Sequence, residues 1–167
     1  MLKRAYPYLL VCLLVAVGWW WGARMDAPPP SQATVSRVVD GDTVYVRAGS
    51  RSFDVRLLGI DTPETVDPHR PVGCYGPEAS AYTKHLLTGA VVRLVYDRER
   101  RDRYGRWLAY IYLERHGLPD LFVNARLVAA GYARTLSIPP NTAHAQELSA
   151  LERSAALAGR GLWSACG

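Results

Sequence analysis

Lysine is nearly missing from this chain. Of its 20 basic residues only Lys3 and Lys84 are lysines, and the rest are arginines. A planar guanidinium grips phosphate through two parallel hydrogen bonds, where lysine is closer to a point charge. The bias therefore leans toward a phosphate-bearing partner, although genomic base composition produces the same bias. Histidine is sparse as well. His69, His85, His116 and His144 are scattered, and no Cys/His spacing fits a zinc site. Each histidine reads as a surface or loop residue. The acidic positions do not have the spacing of an EF-hand loop. There is no internal repeat. At 167 residues one globular domain is the expectation, with no reason to invoke more than a monomer.

One long hydrophobic run is present, at the N-terminus. Ala5 to Ala23 carries no charge, and a helix of that length spans roughly 28 Å, about the hydrocarbon thickness of a bilayer. Tyr6 and Tyr8 at one end and Trp19, Trp20 and Trp21 at the other suit the two interfaces. Lys3 and Arg4 precede the run, which keeps the N-terminus cytoplasmic and places the rest of the chain outside. Residues 1–25 are read as a transmembrane signal anchor. A signal peptide cut after Gly18, which would release a secreted protein, is the alternative. The tryptophans near Gly22 stand where cleavage wants small residues, and they favour the anchor. Residues 26–32, DAPPPSQ, form a proline-rich spacer. With the anchor and spacer set aside the net charge falls to +3.

Three cysteines occur. Cys12 lies in the apolar run. Cys74 and Cys166 fall in the part expected outside the cytoplasm, where two cysteines pair in one disulfide or stay as two free thiols. Pairing would tie the segment before a helix to the C-terminal tail.

From residue 33 to 167 the pattern is that of a folded α+β domain. TVSRVV, DTVYVRA and RSFDVRLLG are short β-branched runs separated by Asp40-Gly41 and Ala48-Gly49-Ser50 turns, an antiparallel meander. TVDPHRPVGCYG reads as a mobile loop. PEASAYTKHLLT reads as a helix with proline in its first turn. VVRLVYD and RWLAYIYLE are two further strands joined by the basic turn RERRDRYG. LFVNARLVAAG reads as a second helix capped by Asp120. A third helix starts at Asn141 or Thr142 and buries Leu148, Leu151, Ala155 and Ala158. Five strands with a helix after the third is the order of an OB-type barrel with three helices.

The acids gather at one place in that order. Asp42 begins the second strand, and Asp61, Thr62 and Glu64 follow the third. Paired strands bring the start of one beside the end of the other. Converging carboxylates repel unless a proton or a cation intervenes. A hard cation such as calcium fits oxygen donors, with the Thr62 carbonyl and water completing its shell. Taken singly, Asp40-Gly41-Asp42 is equally a plain turn and Asp61 a plain cap. Arg56 and Arg106 add what phosphodiester cleavage needs: a carboxylate to take a proton from water and arginines to hold the extra charge on phosphorus.

The segments VVDGDTVYV, RLLGIDTPET, YGPEASAYTKHLL, DRYGRWLAYIY, VNARLVAAGYAR and GLW resemble the thermonuclease, or staphylococcal-nuclease-like, family in order, from about Thr34 to Trp163. The resemblance implies a calcium-dependent nuclease that hydrolyses DNA and RNA at the bond to the 5′ oxygen and leaves 3′-phosphate ends. It implies Asp42, Asp61 and the Thr62 carbonyl as Ca2+ ligands, with Asp40 supporting them indirectly. Glu64 takes the place of the general base, and Arg56 and Arg106 those of the phosphate-binding arginines. Arg103 and Tyr104 take the place of contacts to a terminal phosphate. The chain departs from the family pattern after Tyr132, where ARTLSIPPN has none of the tyrosines that line the family's nucleotide pocket. The 65–76 loop departs too, offering His69 and Arg70 in place of lysines. The alternative to a nuclease is a catalytically weak barrel that binds nucleic acid or phosphate.

Overall fold

The computed structural model describes residues 29–69 and 71–166. The expected anchor (residues 1–25), its Cys12 and the residue Arg70 lie outside these. Among the described residues no helix is long and apolar enough to cross a membrane.

The first strand, β1 (Gln32–Asp40), turns at Gly41 into β2 (Thr43–Ala48), which returns through Gly49 into β3 (Arg51–Leu57). Alternation puts Ala33 and Val35 inside, yet Val38 and Asp40 are inside too. The change of phase comes from a register shift between Val35 and Arg37, a bulge that lets an odd spacing keep both valines in the core. The strand β5 (Val91–Val95) pairs with both β1 and β6 (Trp107–Leu113). A parallel pairing of β3 with β6 then closes the ring of five strands. Val35, Val44, Val46, Val55, Leu57, Val92, Leu94 and Ile111 fill it. This is the closed barrel expected, with β-branched residues inward and polar ones outward.

RSFDVRLLG reads as one strand, but β3 stops at Leu57. Gly59 adopts a φ of +75°, a conformation that costs other residues a steric clash. The chain swings there into β4 (Gly59–Asp61), which pairs with β8 (Arg134–Leu136) instead of continuing the barrel. That bend brings Asp61 back beside Arg56.

Helix α1 (Gly76–Leu87) buries Ala79, Thr83 and Leu87, with Glu78 in its first turn. The second helix starts later than expected. Asp120 does not cap it but pairs with Arg93 at 2.9 Å, and Leu121–Phe122 forms a short strand, β7, against Tyr112 and Leu113. The Phe122 ring stacks on Tyr112 at 4.8 Å, so α2 begins only at Val123 and ends at Ala129. The third helix, α3, runs Ala145–Leu157. Asn141 is not its cap, because its side chain bonds both the N–H and the C=O of Glu99 at 2.8 Å and pins the β5–β6 turn. Leu148 and Ala155 are buried, whereas Ala158 lies past the helix end and is exposed. A single turn, α4 (Leu162–Ala165), follows.

Asn124 of α2 sits fully buried between the barrel and the β3–β4 bend. Its Oδ1 accepts the Ile111 N–H at 2.9 Å and its Nδ2 donates to the Leu58 carbonyl at 2.7 Å. Replacing it would strand two buried backbone groups. We expect Asn124→Ala to lower unfolding stability by about 3 kcal/mol, read as a lower urea midpoint with an unchanged slope.

Candidate active site

The parallel β3–β6 register sets Arg56 opposite Leu108, two residues beyond Arg106. Val55, Leu57, Trp107 and Ala109 point into the core, so the even-numbered positions on both strands point out. Arg56 and Arg106 thereby share one outer face. They line a cavity of about 510 Å³ together with Arg103, Tyr104, Leu136 and Ile138.

Arg106 is held by an acid that the sequence reasoning passed over. Asp102 accepts Arg106 Nε at 2.7 Å on one oxygen, and the backbone N–H groups of Tyr104 and Arg106 on the other. One carboxylate thus closes the turn and aims the guanidinium. Its signal was an aspartate three residues before Gly105 in DRYGR. The exposed Tyr104 ring lies against the Arg103 and Arg106 guanidinium groups, with centroid distances of 4.8 and 5.4 Å, and Arg103 also donates to its hydroxyl. The stretch after Tyr132 contributes Leu136 and Ile138 as an exposed aliphatic wall.

Arg56 joins this cavity to the acids. Its Nη1 donates to the Leu57 and Ile60 carbonyls at 3.1 and 2.9 Å and lies 3.1 Å from Asp42 Oδ2. Its Nη2 donates to Asp61 Oδ1 at 2.8 Å. Asp42 is buried, and its Oδ2 also accepts the Thr62 N–H at 2.8 Å and the Thr62 hydroxyl at 3.0 Å. Burial raises its pKa; the Arg56 charge and the Thr62 amide only partly oppose this. Asp61 is exposed. The close packing depends on Gly41, where a Cβ would come within 2.7 Å of Thr62 Oγ1.

Glu64 lies outside that cavity wall, three residues past Asp61. Its Oε1 accepts the N–H groups of Val66, Thr65 and Asp67 at 2.8, 2.9 and 3.2 Å. These bonds, the Val66 amide foremost, hold its carboxyl below the usual range. The neighbouring Asp40 goes the other way. Burial raises its pKa, although the Thr65 hydroxyl and the Gly41 amide donate to its carboxylate. The two acids interact, and their pKa values are displaced in opposite directions, Asp40 up and Glu64 down.

His69 is exposed in the 65–76 segment, with its backbone N–H on Asp67 at 2.9 Å. That segment is tied down near its C-terminal end: Gly73 donates to the Glu64 carbonyl, and Cys74 is disulfide-bonded to Cys166. Tyr110 is a buried strand residue, its hydroxyl 3.3 Å from Asp97 and its pKa pushed up to about 12 by burial.

A family profile described as "Staphylococcal nuclease homologue" matches residues 54–165. The chain belongs to the staphylococcal-nuclease-like family. It is 41% identical over 130 residues to "Thermonuclease" of Staphylococcus hyicus, covering 78% of this chain and 74% of that protein. It is 49% identical over 107 residues to "Thermonuclease" of Staphylococcus intermedius, covering 64% of this chain and 61% of the relative. A third relative, "Endonuclease YncB" of Bacillus subtilis (strain 168), is 33% identical over 80% of this chain and 62% of its own length. Within this family member, Asp42, Asp61, Thr62 and Arg56 form one bonded group, Glu64 and Asp40 form a second beside it, and Arg106, Arg103 and Tyr104 face Arg56 across the cleft.

Arg56 is the counter-charge of a buried carboxylate, which sets a pH signature. Asp42 has a raised folded pKa, so in the wild type it already weakens the fold as pH rises past its unfolded value. Removing Arg56 raises that pKa further. In Arg56→Met, measured with chelator present, the loss of stability should be about 3 kcal/mol at pH 7 and should shrink toward zero at acid pH, where Asp42 is protonated in both states. Urea unfolding at pH 3.5 to 7.5 checks the sign.

Proposed function

We propose that this family member is a calcium-dependent nuclease that hydrolyses DNA and RNA. Water would attack phosphorus, the bond to the 5′ oxygen would break, and a 3′-phosphate end and a 5′-hydroxyl end would leave. One observation carries the reading: Arg56 and Arg106 face a single cleft, and Arg56 is bonded to both Asp42 and Asp61. The thermonuclease and endonuclease names of the relatives support it.

The oxygen donors fit a calcium ion. Among the described residues no group of three or more His, Cys, Asp or Glu is poised to hold a metal, so the protein's share would be two carboxylates and a carbonyl. Asp42 and Asp61 already converge on one cation, the guanidinium of Arg56. Burial leaves Asp42 short of positive charge. Both are hard oxygen ligands, the set that Ca2+ prefers, and water is its usual supplement. Asp42, Asp61 and the Thr62 carbonyl would hold the ion, with Asp40 behind them. Bound there, calcium would supply positive charge beside the phosphate.

The protein groups divide the remaining work. Arg56 and Arg106 grip the phosphate oxygens and stabilise the charge that grows as phosphorus becomes five-coordinate. The three amides on Oε1 fix the orientation of Glu64 and keep it ionised. A carboxylate so held is a modest base, so its part is chiefly to orient the attacking water and then accept its proton. Arg103 and Tyr104 would contact a terminal phosphate. Leu136 and Ile138 offer an apolar contact to a sugar or base without aromatic stacking, which is worth roughly 1–3 kcal/mol per base elsewhere. A disulfide fits an oxidising compartment, in keeping with an extracytoplasmic location.

The competing reading is a barrel that binds nucleic acid and cuts it weakly. The observation in its favour is that one oxygen of Glu64 is fully used in capping a turn. Release of acid-soluble fragments from denatured DNA separates the two. The full chain should cleave with calcium and stop with excess chelator. Glu64→Gln and Arg106→Ala should each lower kcat by about 100-fold or more. DNA binding without cleavage by folded wild type would establish the binding barrel instead.

A further inference from the structure

We propose that the Cys74–Cys166 disulfide and Gly73 form a clamp that positions Glu64, so that full activity belongs to the oxidised protein alone. This rests on the reading of Glu64 as the residue that orients water.

The clamp brings two glycines close against Pro63–Thr65. Gly73 donates to the Glu64 carbonyl at 2.8 Å. A Cβ on Gly73 would lie 2.8 Å from Pro63 Cβ and 3.1 Å from the Glu64 nitrogen. A Cβ on Gly76 would lie 2.8 Å from Thr65 Cγ2 and 3.0 Å from the Pro63 carbonyl oxygen. The glycines at 73 and 76 are therefore packed closely against Pro63–Thr65, with no room for a side chain of their own. It also carries Tyr75 at a φ of 64°, a left-handed conformation unusual for a residue with a side chain. A conformation of that kind persists only where its surroundings hold it. One restraint is the Tyr75 ring stacked on Tyr132 at 5.6 Å. A second is covalent, the bond from Cys74 to Cys166.

Cys166 sits on a fixed post. It follows α4, whose Leu162 is buried and donates to the Gly131 carbonyl at 2.9 Å. The disulfide also shares a cavity of about 260 Å³ with Asp61, Thr62 and Pro63. The bond thus lies beside the turn that carries Asp61, and Gly73 next to it holds the Glu64 carbonyl. Opposite it, the Glu64 carboxylate accepts the three amides of the turn it caps.

Reduction by a dithiol transfers two electrons and two protons to the Cys74–Cys166 bond, giving two thiols, while the dithiol becomes a disulfide. The segment then keeps the Gly73 hydrogen bond to the Glu64 carbonyl, the Tyr75 stack on Tyr132 and its backbone bonds into α1, but loses its covalent tie to the C-terminal post. Displacements near 1 Å at a reacting centre can cost on the order of 100-fold in rate. The reduced chain should therefore stay folded and lose turnover.

The test uses the full chain in three forms: oxidised wild type, Cys74→Ser/Cys166→Ser, and Gly73→Ala, which keeps the disulfide but crowds Pro63. Each is assayed on denatured DNA with calcium, per folded molecule. The expected result is a kcat lowered by about 10-fold or more in both variants, with KM changed by less than about 3-fold. Amide hydrogen exchange at Thr65, Val66 and Asp67, the donors to Glu64, should speed up by a similar factor in the double variant while the barrel strands keep their protection. An unchanged kcat and unchanged exchange at these amides would overturn the clamp. So would a loss confined to KM. An inactive oxidised wild type in which exchange still responds as described would count against the nuclease reading and leave the clamp standing.

Discussion

The Arg56 guanidinium has four acceptors within reach: the Leu57 and Ile60 carbonyls, Asp61 just after them, and Asp42 from the preceding strand. A planar fork can satisfy them together because its N–H groups are fixed in direction. Everything at the cleft follows from this pairing. It shapes the Gly59 bend by bonding the carbonyls on either side of it. It makes burial of Asp42 tolerable and holds Asp61 beside it. It sets its own remaining edge toward the cleft that Arg106 enters from β6. A lysine could supply the charge but not four directed contacts.

Much of the barrel is written in local pattern. The β-branched runs of β1, β2, β3, β5 and β6 alternate as half-buried strands must, and the helix after Gly76 opens on a proline. The acids could be placed near one another because consecutive strands pair. What local pattern does not contain is the parallel contact of β3 with β6, and so the meeting of Arg56 and Arg106 could not be read from strand order alone. The same limit explains the misplaced helix starts. Asp120 has the chemistry of a cap, but a salt bridge with Arg93 and the stacking of Phe122 on Tyr112 claim that stretch for the sheet. Asn141 is also a capping residue by type, and the backbone of Glu99 claims it. In each case a distant partner outbid a local preference.

The structure bonds Arg56 to Asp42 and Asp61 and puts Arg106 at the same cleft, with Glu64 three residues past Asp61. The structure adds residues that motif reading passes over because their work is indirect. Asp102 aims Arg106 by closing its turn, and Thr65 links Asp40 to the segment beside Glu64. Asn124 braces the bend from behind. Each decides where another group points.

The closing seam between β3 and β6 has one more consequence, in the order of events as the chain folds. The meander β1–β2–β3 is local and can form early, while pairing with β6 must wait for a long loop to close. Arg56 and Arg106 come from the two sides of that seam, and Cys74 and Cys166 lie even farther apart in sequence. A nascent chain or a half-folded intermediate therefore holds the individual groups but not their arrangement. Closing the ring and bringing Arg56 and Arg106 to one cleft are the same step, so the seam acts as a timer: the two arginines meet only when the barrel is complete.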